Sequence, residues 1–403
     1  MDYLIVGGGI AGLYTAYELC KNHVIKNILI VERNDYIGGR IKTLHLKKNN
    51  ITVELGAGVI SQDHKHMLKL VNELGLSNDL VFSKSVKYAI NNETGKITNV
   101  NKSGFREKIL ELKNNMDKKN ACSYTLYRYI ERIYGIKVAN ELTNQFGYPA
   151  DFYEQNAVDG INMLLRDSDK GYYRLKNGLD QIIHRLEDYL KSNNVEIKLG
   201  VSLINIKKVK NKYECLLSNG YIIANSVVLA IPKEALCNIE YLNPIRDSLL
   251  NSVVSKALMR IYMIFPTENL WFESLKGITV TNTLLNQIIP INKEKGVLMV
   301  YLIGENATSM EMLKEKGLME EEVMFHLRKL FKNVGNPSKI YSVFWKEATH
   351  MFINGVNSEV IGQKIMKPFD EDKVYVVGES YSMIQQWSEG CISDIQKLMH
   401  IIK

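Results

Sequence analysis

Residues 2–12, Asp-Tyr-Leu-Ile-Val-Gly-Gly-Gly-Ile-Ala-Gly, constrain this chain more than any other stretch. A short apolar run opens directly into G-x-G-x-x-G, and about 20 residues later Glu32 closes the next apolar run, Asn27 to Val31. Strand, loop, helix, second strand and terminal acid stand in the order of a βαβ unit that seats a dinucleotide. Gly7 permits the tight turn, Gly9 lets the backbone approach a pyrophosphate, and Gly12 lets the helix lie close to the strand. The helix start at Ile10 and Ala11 offers N–H groups to the phosphates, and Glu32 accepts from ribose hydroxyls.

The length of 403 residues predicts two or three domains rather than one core. Hydrophobic content of 46% and charged content of 24% exclude a disordered chain. The net charge of +7 is spread among Asn and acids instead of being clustered with aromatics, which reads as solvated surface and not as a nucleic-acid face. Met1 leads at once into the first strand, and no apolar run reaches the length of a membrane span. A cytoplasmic protein with no leader and no membrane anchor is expected. Cys20, Cys122, Cys215, Cys237 and Cys391 stand apart, without metal-ligand spacing, so neither a metal site nor a disulfide framework is expected.

Along the chain, helices are predicted over Lys65–Leu74 and Gly178–Lys191, the latter with a stripe of Leu179, Ile182, Ile183, Leu186 and Leu190. Leu80 to Tyr173, rich in Asn and Lys, reads as a mostly helical insertion. From Val195 to Pro232 the pattern becomes strands, with an Asn219-Gly220 hairpin turn. A strand is predicted over Ser255–Phe265, a helix over Glu311–Phe331, a buried strand over Lys373–Val377, and a last helix from Glu389-Gly390.

Four segments together resemble the flavin-containing amine oxidase superfamily, which includes monoamine, polyamine and L-amino-acid oxidases. They are the GGGIAG loop, Glu32-Arg33-Asn-Asp-Tyr-Ile-Gly38-Gly39-Arg40, Glu54-Leu-Gly56-Ala57, and Val376-Val-Gly378-Glu379 with Gln386-Trp387-Ser388-Glu389-Gly390. The resemblance implies FAD, with Arg33, Gly39, Gly56 and Ala57 among its contacts and backbone amides at Val201 near the adenine. Arg40 supplies a charged fork for phosphate oxygens, and Gly38 and Gly39 let the chain pass the cofactor without Cβ atoms. Glu379 follows a strand end, where it either accepts from ribityl hydroxyls or is a plain surface acid. The helix opening at Gly390 is expected to direct its positive end at the flavin.

The implied fold class is α/β with α+β character: an FAD-binding Rossmann-like domain with a β-meander, interleaved with a mixed-sheet and helical substrate domain. The first is expected from residues 1–80, 195–240 and 365–403, the second from 81–194 and 241–364. Alignment on Phe265-Pro266 and Trp271-Phe272 puts Arg260 where the family carries a lysine beside the flavin, with Lys256 four residues earlier on the same strand face. Arg260 either faces the flavin edge or pairs with a carboxylate across the sheet. Trp387 falls at one of the family's two aromatic positions before the flavin, while Ala348 stands at the other. His350 reads as a substrate contact or proton relay, or as a structural histidine. Glu347 stands where covalently flavinylated relatives have cysteine, so noncovalent FAD is expected.

The implied reaction oxidises the C–N bond of a small-molecule amine, with hydride passing to flavin N5, imine hydrolysis, and dioxygen reoxidising the flavin to give hydrogen peroxide. The alternatives are a flavin-dependent desaturase or dehydrogenase with another acceptor, or a catalytically decayed flavoprotein scaffold. The particular amine and the oligomeric state are left open.

Overall fold

The computed structural model describes residues 1–22, 27–47, 50–84, 86–90, 97–100, 104–167, 171–268 and 270–402. Strands Glu196–Lys198, Ile28–Val31, Tyr3–Val6, Ser226–Leu229 and Val374–Val376 lie side by side in that order, all parallel. Tyr3–Val6, Ile28–Val31 and Val374–Val376 are apolar at every position, as a sheet covered on both faces requires. Side chains alternate between the faces. Ile5, Ile30, Val228 and Tyr375 share a core with helices Ile10–Asn22, Asp180–Ser192 and Ser388–Ile401. Leu4, Leu29, Leu229 and Val376 share another with the antiparallel meander Leu203–Val209, Lys212–Leu217 and Gly220–Ala224. Each such fully buried aliphatic side chain is worth about 1.5–3 kcal/mol.

The stripe expected on the second helix is buried at all five positions. It is buried against helix Ile10–Asn22, so Asp180–Ser192 packs with the dinucleotide unit, although the sequence grouped it with residues 81–194.

Among the described residues a second sheet runs Lys339–Phe352, Val253–Ile264, Val297–Ile303, Gln287–Asn292, Ile278–Val280, Lys87–Ile90 and Ile97–Asn99. Its pairs are antiparallel except Ile278–Val280 with Lys87–Ile90. On Val253–Ile264, Ala257, Met259, Ile261 and Met263 pack toward helices Glu305–Glu315 and Met319–Leu330. Leu258, Arg260 and Tyr262, on the other face, line a cavity.

Two expectations need correction. Among the described residues, the helices of the stretch from Leu80 to Tyr173 fall between Phe105 and Asp167, where Leu126, Ile130, Leu142 and Ile161 build a separate core. Before it stand strands Leu80–Lys84, Lys87–Ile90 and Ile97–Asn99, and after it Gly171–Leu175. Val81, Phe82 and Tyr88 supply β-branched and aromatic residues there, which the Asn- and Lys-rich composition obscured. The helix predicted over Glu311–Phe331 is two helices, because Gly317 takes φ +74° and the N–H of Leu318 returns to the carbonyl of Leu313 at 2.8 Å. No helix among the described residues is long and apolar enough to cross a membrane.

Candidate active site

The parallel strands Tyr3–Val6, Ile28–Val31, Ser226–Leu229 and Val374–Val376 all end at one edge, where Gly7, Glu32, Ala230 and Gly378 follow them. Open α/β sheets hold ligands at that edge. The cavity there is about 1590 Å³ and is walled on its far side by the second sheet.

The opening loop fits a diphosphate. Gly7 turns at φ +109°, and a Cβ there would meet the carbonyl oxygen of Ala230 at 2.4 Å. A Cβ on Gly12 would lie 1.9 Å from the carbonyl oxygen of Gly7, so the helix rests on the loop only because that residue is glycine. At Gly9, in contrast, a Cβ would find nothing within 4 Å, and the residue lines the cavity. The first intrahelical bond is Leu13 N to Gly9 O at 3.0 Å, which leaves the amides of Ile10, Ala11 and Gly12 without intrahelical acceptors. Backbone donors beside reserved space are what phosphate oxygens need.

Gly7, Gly9, Ile10, Ala11, Glu32, Arg33, Gly39, Arg40, Gly56, Ala57, Val201, Gly378, Glu379, Arg260 and Trp387 line this one cavity; Gly12, Lys256, His350 and Gly390 do not. Glu32 braces the loop as well as facing the site. Its Oε2 accepts from Gly8 N at 2.8 Å, and its Oε1 accepts from the backbone N and side-chain Nδ2 of Asn34. Val201 precedes strand Leu203–Val209 rather than lying in it, and its N–H is already donated to Glu32 O at 2.9 Å, so that amide is not free for an adenine. The last helix starts at Ser388, with Trp387 as its N-cap. Gly390 instead faces the turn before it, where a Cβ would meet Ile384 O at 2.3 Å. Lys256 stands beyond the register shift that interrupts pairing with Lys339–Phe352, and its ammonium pairs with Glu154.

Glu379 is 4% exposed and fully engaged by protein. Its Oε1 accepts from His350 N at 3.0 Å and Gln386 N at 2.7 Å; its Oε2 accepts from Arg40 Nη1 and faces His350 Nδ1, both at 2.8 Å. Those four contacts fill the roughly four acceptor positions of a carboxylate, so a ribityl hydroxyl finds none vacant. Arg40 Nη1 also donates to Ala348 O at 2.6 Å. Gln386 aims its N–H at Glu379 from φ +71°, an uncommon backbone state for a residue with a side chain.

His350 is fully buried, with Nε2 3.6 Å from Glu234 Oε2 on its far side. Burial pulls its pKa down, but Glu379 and Glu234 outweigh burial and hold it above the ordinary value. Burial pushes the Glu379 carboxyl up, yet His350 and Arg40 outweigh that and hold it well below the usual range. Burial raises Glu234 also, and the His350 and Ser255 contacts bring it down to about 2. A carboxylate–imidazole–carboxylate–guanidinium row thus runs from half-buried Glu234 to Arg40 in the cavity lining. Of the readings open for His350, substrate contact does not fit a ring outside the cavity.

Among the described residues Arg260 does not pair with a side-chain carboxylate. Its Nη1 donates to Glu54 O at 2.7 Å, its guanidinium stands 5.0 Å over the Tyr301 ring, and its buried Nε has no acceptor among the described residues. Burial lowers its pKa, but Tyr262 and Tyr301 more than offset this, so the charge stays. Tyr262 OH and Trp345 Nε1 donate to Glu54 O and Leu55 O, pinning the Glu54–Gly58 loop to the second sheet.

Trp387 finds an aromatic partner that the sequence did not disclose. Tyr172 lies 6.1 Å from it with planes 11° apart, and both line the cavity. Only its place on strand Gly171–Leu175, which pairs with Ile60–Ser61, brings it there. Glu389 accepts from His66 N and Met67 N, tying the Trp387 turn to the first turn of helix Lys65–Glu73.

The family model for flavin containing amine oxidoreductase matches residues 10–393. This chain belongs to that family. The family's description names flavin-containing amine oxidoreductases. It is 30% identical over 125 residues to the "Probable flavin-containing monoamine oxidase A" of Dictyostelium discoideum, covering 30% of this chain and 26% of that protein. It is 21% identical over 359 residues to the L-amino-acid oxidase of Bungarus fasciatus, covering 78% and 68%. The matches to the first three curated relatives span 11%, 26% and 20% of their lengths. A solved putrescine oxidase double mutant superposes with TM-score 0.80 at 17% identity, covering 100% of this chain and 98% of that one, which shows a shared fold.

Proposed function

We propose that this oxidoreductase oxidises the C–N bond of a small-molecule amine, with FAD held noncovalently and dioxygen as terminal acceptor. The carrying observation is that one cavity joins a diphosphate cradle on one side to Arg260 and the Trp387–Tyr172 pair on the other. The reading keeps two units, residues 1–80, 195–240 and 365–403 and the remainder, with helix Asp180–Ser192 moved to the first.

Bound in this cavity, FAD would supply the acceptor for two electrons leaving the substrate's C–N carbon, which dioxygen would then take with two protons to give hydrogen peroxide. The substrate loses one C–H and one N–H hydrogen, becomes an imine, and is hydrolysed by water to a carbonyl compound and the free amine or ammonia. Trp387 and Tyr172 present flat apolar faces that orient the amine and exclude water, and a dry pocket favours its neutral, reactive form. Arg260, charged at every working pH and without a carboxylate counterion, offsets negative charge arriving beside it. The amides of Ile10 and Ala11 hold the diphosphate. Glu347 offers no thiol, and the buried Cys391 has its pKa pushed up to about 12, which leaves no reactive thiolate for a covalent flavin link.

Anaerobic mixing of the purified yellow protein with primary amines, polyamines and amino acids tests the proposal. Bleaching by at least one of them, followed by peroxide on admitting oxygen, is expected. Bleaching without peroxide points to another acceptor, and a flavin that no amine bleaches overturns the reading.

A further inference from the structure

Away from the cradle, the described lining residues that fall between 81 and 106, 146 and 176, and 258 and 303 carry charges that are unbalanced. Exposed Lys84, Arg174, Lys176 and Lys276 form the rim of this wall. Lys87, Arg106 and Arg260 line the same wall and are half-buried. Against these cations, Asp151 is the single acid that those segments contribute among the described lining residues, and its Oδ1 already accepts from Gln386 Nε2 at 3.2 Å. The neighbouring Glu54 carboxylate is also occupied, by Thr43 Oγ1 and Leu179 N, both at 2.7 Å.

Charges of one sign around a concave, partly apolar wall add, because field lines are focused into the cleft. Between the cations lie Val81, Phe105, Phe146 and Ile289. Such a wall accommodates an apolar body and attracts an anionic group. A polyammonium chain would meet repulsion from the rim to Arg260, and the described carboxylates of this wall, Asp151 and Glu54, are already engaged by protein.

We propose that the substrate of this site carries a carboxylate as well as the oxidisable amine, the carboxylate resting against the Lys84, Arg174 and Lys276 rim while the amine reaches Trp387 and Tyr172. This rests on the amine-oxidising reading above and selects within it. Polyamines are outside the substrate range.

The test uses holoenzyme and three probes: phenylalanine, phenethylamine, which is the same molecule without its carboxylate, and putrescine. Binding is read from perturbation of the oxidised flavin spectrum, and reduction from anaerobic bleaching. Phenylalanine is expected to half-saturate at a concentration at least tenfold below phenethylamine at low salt, with the gap narrowing as sodium chloride is raised. Putrescine is expected to produce no change. In Lys84→Glu/Lys276→Glu holoenzyme, half-saturation should shift upward for phenylalanine and downward for phenethylamine. A misfolded or merely weakened site would move both the same way. Preference for phenethylamine or putrescine, parallel shifts in the variant, or no spectral response to phenylalanine overturns the proposal. A protein without bound flavin would instead fail the amine-oxidising reading.

Discussion

The two walls of the cavity are made of different material. The cradle is mostly backbone: glycine at positions 7, 9 and 12, amides at the start of one helix, and acids bonded to loop N–H groups within a few residues of a strand end. The opposite wall is side chain: Arg260, Tyr172, Tyr301 and a set of lysines drawn from segments far apart in the chain. A backbone site tolerates few changes because the atoms that bind also make the fold. A side-chain wall can be re-specified one residue at a time, which is where the chemistry of a family member diverges.

The largest effect is expected where a side chain backs the cradle. His350→Gln removes the cation between Glu379 and Glu234 and should cost about 3–5 kcal/mol, read as a lowered urea midpoint. The His350 pKa lies above its ordinary 6.5, so its contribution is complete below that pH and lost as pH rises through the raised value. Glu379 lies below its ordinary 4.5, so its contribution holds above that pH and is lost as pH falls through the lowered value. The gap between wild type and His350→Gln should therefore be widest near about pH 6 and shrink in alkali. A gap that does not change with pH would remove the imidazolium from the account.

Next come two glycines three residues apart. Gly12→Ala presses a methyl group on the Gly7 carbonyl and should cost about 3 kcal/mol of stability. Gly9→Ala meets no protein atom, so thermal stability without FAD should be unchanged while FAD binding, followed by flavin fluorescence quenching, weakens about tenfold or more, some 1.4 kcal/mol per factor of ten. Equal effects in both assays would mean that the space at Gly9 is not reserved for the cofactor.

Smaller effects are expected on the far wall. Arg260→Lys, which installs a group able to shed its proton, should raise the rate at which oxygen reoxidises the photoreduced flavin by about tenfold. Unchanged reoxidation would mean that Arg260 does not act at the flavin. Tyr172→Leu keeps bulk but removes the ring beside Trp387, worth about 0.5–1.5 kcal/mol, and should raise the half-saturating amine concentration by about 2- to 10-fold. An unchanged value would take Tyr172 out of the substrate path.

This contrast also explains what could be read in the chain. The βαβ unit was legible because Gly7, Gly9, Gly12 and Glu32 act through local backbone geometry, and the Leu179-to-Leu190 stripe because one helix face repeats with a short period. Arg260 was placed on the cavity face by strand alternation. Lys256 escaped the same rule at the register shift beside it, which leaves no mark in composition. Tyr172, Gln386 and Glu234 were missed since their roles come from contacts that only the folded chain makes: with Trp387, with Asp151 and Glu379, and with His350. Glu379 was seen as a ligand of the cofactor, yet its acceptor positions are filled by His350, Gln386 and Arg40, a network that no single motif contains.

The most direct test of the whole account is anaerobic stopped-flow mixing of the holoenzyme with an amine that also bears a carboxylate, followed by air. Loss of the yellow flavin band that saturates with substrate, then its return with one peroxide per turnover, is the predicted record. A band that stays intact with every such amine would contradict it.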